Sequence, residues 1–150
     1  MKKYYFFLIL ITVLISSCEK DDFCIDPITP NMVIRFYDAT NPTETKSVED
    51  LIITLDSGVE VENISLTDSI IVPLDVTSNQ TIFNFTSGTE IDQVIIDYTL
   101  NEVFVSRSCG FKATFSNVIS TPQSSNWIQY ISQSTTIIED ESAAHIQIFH

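Results

Sequence analysis

From Met32 onward, apolar and polar positions alternate in short runs separated by polar breaks, and no stretch sustains the i, i+3, i+4 recurrence of a helix. That alternation predicts strands over Met32–Tyr37, Leu51–Leu55, Val59–Leu66, Ser69–Leu74, Thr81–Thr86, Gln93–Leu100, Val103–Cys109, Phe111–Val118, Trp127–Gln133 and His145–Phe149, with Thr135–Ile138 as a further short one. The pattern is clearest over Gln93–Leu100. There Val94, Ile96, Tyr98 and Leu100 share one face while Gln93, Asp97 and Thr99 share the other, as in a strand with one buried side. Asn101-Glu102 reads as a tight turn and Gly110 as a reversal or bulge. Pro73 cannot donate to a ladder, which assigns its segment to an edge or a bulge. Many short strands with turns between them predict an all-β fold. The expected form is a single antiparallel β-sandwich, immunoglobulin-like or a related Greek key, spanning residues 31–150.

The first residues depart from this pattern. Lys2 and Lys3 precede Tyr4–Ile15, an apolar run interrupted only by Thr12. That run is too short to cross a hydrocarbon core of about 30 Å, so residues 1–17 read as a signal peptide. Leu14-Ile15-Ser16-Ser17-Cys18 resembles a bacterial lipobox, with Ile15 in place of the preferred leucine. In such a box the cysteine is acylated and becomes the new N-terminus. Glu19, Lys20, Asp21 and Asp22 look like the export signal that sends some Bacteroidota lipoproteins to the outer face of the outer membrane. Residues 18–30 are acidic, contain Pro27 and Pro30 and lack periodicity, which makes them a tether. At 3.3–3.6 Å per extended residue, such a tether reaches up to ~40 Å. The expected location is the outer membrane, lipid-anchored and at the cell surface, with the periplasmic face as the alternative. Two or three acyl chains, at about 0.8 kcal/mol per buried CH₂, would hold the chain there.

Charge agrees with attachment by lipid. The chain carries a net charge of −13, and the signal peptide takes away two lysines and no acid. The remaining cations are too few to grip nucleic acid or anionic lipid by clustered charge. If Cys18 is acylated, Cys24 and Cys109 remain, either paired as a disulfide in an oxidising space or buried as two thiols. No cofactor is expected and no metal site, since the cysteines and the two histidines have no zinc spacing. Asp21, Asp22 and Asp26, or Glu139, Asp140 and Glu141, offer oxygen ligands without the spacing of a calcium loop.

Enzyme signatures are equally sparse. There is no G-x-S-x-G elbow, no phosphate-binding glycine loop and no H-E-x-x-H. His145, beside Ile146 and Ile148, reads as a half-buried structural histidine, and His150 as a frayed terminal residue. Nothing marks any two of the twenty acids as a glycosidase pair. Trp127 and Tyr130, with Phe36 and Tyr37, are the candidates for stacking against a sugar. Asp68-Ser69-Ile70 matches the D-S/T-aliphatic pattern of Bacteroidota O-glycosylation, making Ser69 a candidate acceptor at an exposed turn. Arg35 and Arg107 would each pair with a carboxylate or meet an anionic ligand group.

Several blocks in order carry a wider resemblance. They are Asp21-Asp22-Phe23-Cys24; Ile34-Arg35-Phe36-Tyr37-Asp38 with Asn41-Pro42; Asp68-Ser69-Ile70 with Pro73-Leu74; Val105-Ser106-Arg107-Ser108-Cys109-Gly110-Phe111; and Asn126-Trp127-Ile128 with His145-Ile146. With them the chain resembles a family of Bacteroidota lipoproteins, that of domain of unknown function 6452, over nearly all of residues 21–150. Ser108 stands where the family has alanine. The resemblance implies that Cys24 and Cys109 both belong to the pattern, which supports their pairing, and it implies no activity. The expected function is that of a surface lipoprotein serving as a non-catalytic binding or structural component of the envelope, with an envelope protein or a glycan as partner. A carbohydrate-binding module is the alternative, predicting coplanar, exposed Trp127 and Tyr130. A hydrolase is the more distant one, predicting two convergent carboxylates with one raised pKa.

Overall fold

Nine strands and no helix form the regular structure of Cys24 and residues 29–150, the part of the chain that the computed structural model describes. The signal peptide, Cys18 and Glu19–Asp22 lie outside the described residues. The strands are β1 (Met32–Tyr37), β2 (Val48–Leu55), β3 (Glu60–Thr67), β4 (Ser69–Val72), β5 (Gln80–Ser87), β6 (Glu90–Ser106), β7 (Gly110–Pro122), β8 (Tyr130–Gln133) and β9 (Ile146–Phe149). They form a four-stranded sheet ordered β4-β1-β9-β8 and a five-stranded sheet ordered β3-β2-β5-β6-β7. The fold is therefore the all-β sandwich that the alternation predicts. Strands β2, β3 and β4 follow one another around the sandwich while β1 lies beside β4, which is a Greek-key path.

Alternation places one side of each sheet in the core. Ile34, Phe36 and Ile148 from one sheet face Ile53, Phe83 and Val94 from the other, all essentially inaccessible to water. The β4 ladder ends at Val72, one residue before Pro73, and β4 is an edge strand, as proline requires. A two-residue reversal at Gly88-Thr89 joins β5 to β6, with Gly88 at φ +60°.

The sandwich is not wholly antiparallel, because the first and last strands, β1 and β9, pair in parallel from Ile34↔Ile146 to Tyr37↔Phe149. Nor is Asn101-Glu102 a turn. Both residues lie inside the continuous β6 ladder, opposite Thr114 and Ala113.

His145, just before β9, bonds back to β1. Its backbone N–H donates to the Val33 carbonyl (2.8 Å), and its Nδ1 accepts the Val33 N–H in return (2.9 Å), so the ring is neutral at Nδ1. It is buried rather than half-buried. Burial holds its pKa below the usual 6.5, against the upward pull of the Asp140 carbonyl and the Asp140 and Glu141 charges. The unfolded chain therefore binds the extra proton first as pH falls. Stability contributed here is complete above pH 6.5 and is lost as pH descends toward the lowered folded value. We expect the urea midpoint to fall between pH 7 and pH 5, and His145→Gln to flatten that slope. His150, also held low by burial, would supply the remainder. Identical slopes in both proteins would show that His145 does not titrate in this way.

Candidate functional site

The most distinctive feature of the molecule is the long β6–β7 hairpin. Strand β5 pairs with β6 only as far as Gln80↔Asp97, whereas β6 and β7 continue together to Ser106↔Gly110. Where β5 stops, a bulge inserts Asn117, at φ +52°, into β7, a left-handed conformation that asparagine tolerates. Beyond it the hairpin becomes a two-stranded ribbon. Near its base Leu100 and Phe115 still pack into the core, and Ile138 bridges to Phe115, which is all that forms of the short strand expected over Thr135–Ile138.

At the far end, Phe104 and Phe111 oppose each other and meet edge to face with centroids 5.4 Å apart, yet they remain 58% and 60% exposed. Gly110, at φ +72°, takes the chain through the reversal. Beside it Cys109 is disulfide-bonded to Cys24, with Cα atoms 4.9 Å apart. The open choice between a disulfide and two buried thiols is thus decided in favour of the bond. The N-terminal arm is pinned to the tip of the ribbon at Cys24, well short of the tether's expected end at residue 30. Arg107 lies in the same turn, exposed and without an ion pair among the described residues. Lys112 reaches the Glu139 carbonyl (3.4 Å).

The other candidates are dispersed. Trp127 is half-buried, its indole Nε1 donates to the Phe85 carbonyl (3.1 Å), and its ring packs against Phe36 and His150. Tyr130 stands on the opposite, outer face of its sheet and stacks on Phe149 (4.3 Å), which in turn stacks on Tyr37 (5.4 Å). Trp127 and Tyr130 therefore do not form a coplanar shelf. One ring is turned into the core, and the other has a face covered by its neighbour. His150 is not frayed, because its carbonyl accepts the Lys46 ammonium (2.9 Å) and the Ala39 N–H (3.2 Å). Arg35 lies 3.7 Å from Asp68, a partly exposed ion pair of small energetic consequence. Ser69 opens β4 instead of occupying an exposed turn. It is half-buried and its hydroxyl donates to the Ile34 carbonyl (3.2 Å).

One residue was missed in the sequence although its position gave a signal. Asp92 continues the buried phase of Val94 and Ile96 by one step and is fully buried. Its carboxylate accepts the backbone N–H groups of Asn126 (2.7 Å), Trp127 (2.8 Å) and Ile128 (2.7 Å). Burial opposes its ionisation, but those three donors with Ser124 outweigh burial and hold the pKa below the carboxylate norm. The other shifted carboxylates, Asp38, Asp75 and Asp140, are also lowered, chiefly by the hydroxyl and then the backbone N–H of Thr40, Thr77 and Ser142. An open cleft of about 410 Å³ lies between the β2–β3 turn and the β4–β5 loop, lined by Leu55, Asp56, Pro73, Asp75, Gln80 and Ile82. Among the described residues, no three His, Cys, Asp or Glu side chains converge to hold a metal ion.

The class so defined is a β-sandwich scaffold with a projecting, disulfide-stapled ribbon. Residues 45–150 match the family of unknown function DUF6452, and the chain belongs to that family. The match takes in the ribbon and Cys109 but begins after β1 and Cys24. No curated protein and no solved structure matches the chain.

Proposed function

We propose that the protein is an outer-membrane lipoprotein of the Bacteroidota type, anchored through Cys18 and facing the cell surface, where its sandwich serves as a non-catalytic binding or structural component of the envelope. The observation that carries this reading is the Cys24–Cys109 disulfide. Such a bond belongs to an oxidising compartment, and it uses two of the three cysteines. The third, Cys18, stands at the end of the apolar run where acylation would occur. A non-catalytic role is supported by the carboxylates. Among the described residues, every one with a shifted pKa is shifted downward by local donors, so each stays ionised and structurally engaged at neutral pH, unlike a general acid.

Two measurements test it. Cys18→Ala should move the protein from the membrane fraction to the soluble fraction, and the intact mass of the wild type should show an acylated Cys18. Protease shaving of intact cells should remove the wild-type domain and spare a strain carrying alanine at Lys20, Asp21 and Asp22. Membrane retention of Cys18→Ala would defeat the anchor, and protection of both strains from protease would move the domain to the periplasmic face.

A further inference from the structure

Alternation along the ribbon puts Phe104 and Phe111 on the same face as Leu100 and Phe115, so the inner side of the sandwich runs on past the end of the core, with Glu102 and Ala113 between the two apolar pairs. The other face of the tip carries Val103, 43% exposed. Apolar groups on both faces suit a medium that surrounds the tip better than a partner that covers one side. The local charge also departs from that of the rest of the molecule. In a chain of net charge −13, the stretch Asn101–Thr114 holds Arg107 and Lys112 against a single acid, Glu102.

The disulfide sets the geometry. Cys109, in the turn of the ribbon, is bonded to Cys24, and Cys24 is six residues from Cys18. Six extended residues span at most about 20–22 Å, half the reach of the whole tether. Given the acylated Cys18 proposed above, on which this step rests, the tip becomes the part of the fold held nearest the bilayer. We infer that the tip of the β6–β7 ribbon inserts Phe104, Phe111 and Val103 into the interface of the membrane that holds the lipid anchor, with Arg107 against lipid phosphate. The domain then stands on two points, acyl chains and ribbon, and its orientation is fixed instead of free. Interfacial binding of this kind draws on buried apolar area together with attraction between cations and anionic headgroups.

The test uses full-length, processed protein reconstituted in phosphatidylethanolamine–phosphatidylglycerol vesicles, with plain or brominated acyl chains. Three reporter variants are compared after subtracting the Trp127 signal of the wild type: Phe104→Trp, Phe111→Trp and Leu66→Trp. Leu66 is 62% exposed and lies at the end of β3 remote from the ribbon. We expect blue-shifted emission and at least twofold quenching by bromine for the two ribbon variants, and no change for Leu66→Trp. Equal quenching of all three, with Cys18 acylated by mass, would overturn the insertion and leave the anchor standing. An unmodified Cys18 would remove the anchor and this inference with it. A blue shift without bromine quenching would also overturn it, assigning the tip to a second copy of the chain or to a protein contact.

Discussion

Asp92→Ala is expected to lower stability by about 3–5 kcal/mol, because it strips a fully buried acceptor from three backbone N–H groups at once, that of Ile128 buried and those of Asn126 and Trp127 partly so. With a urea m-value of about 2 kcal/mol/M, the midpoint should fall by about 1.5–2.5 M. Asp92→Asn keeps the shape but turns an NH₂ group toward one of those donors, so it should be nearly as damaging. The loop that Asp92 holds carries Trp127, the only tryptophan, so its emission should shift to the red in either variant. The sign with pH follows from the lowered pKa. The contribution is complete above the ordinary carboxyl value of 3.8 and is lost as pH falls through the folded value. A midpoint within 0.3 M of wild type would show that water or a rearranged loop satisfies those groups at little cost.

Opening the Cys24–Cys109 bond is the second large effect. The bond closes a separation of 85 residues, for which the chain-entropy model gives up to about 4–5 kcal/mol. The double variant Cys24→Ser/Cys109→Ser, or the reduced wild type, should therefore unfold at clearly lower urea. The loss should also have a local signature. Amide exchange should rise over Phe104–Phe111 while β2 and β5, which hold Leu51, Ile53, Phe83 and Phe85 in the core, keep their protection under native conditions. Equal midpoints for the oxidised and reduced proteins would mean that the bond positions the arm without stabilising the sandwich.

Legibility in the sequence followed burial. The alternation matches Met32–Tyr37 to the residue and places Val94, Ile96 and Tyr98 on the inner face, because one side of each strand is buried and the apolar period reports it directly. The period is silent at Asn101-Glu102, a polar pair with the composition of a turn that lies within β6. Where the ribbon leaves the sandwich no second sheet covers Asn101 and Glu102, so a polar pair is tolerated in mid-strand and resembles a turn. The pattern over Trp127–Gln129 predicts the start of a strand, yet β8 begins at Tyr130. The backbone N–H groups of Asn126, Trp127 and Ile128 are turned to Asp92 rather than to a neighbouring strand, and nothing local to those residues announces it.

The chain by itself determined an all-β sandwich, an edge or bulge at Pro73, and an apolar N-terminal run with Cys18 close behind it. These follow from local periodicity, from the missing proline N–H and from the order of residue types. Only the tertiary structure decided that β1 and β9 pair in parallel, that Trp127 faces inward while Tyr130 faces outward, and that Cys24 meets Cys109 at the tip of a ribbon carrying Phe104 and Phe111. Each of these depends on contacts between residues far apart in sequence. Local alternation states which side of a strand is apolar. It does not state which other strand will cover that side, or whether any will.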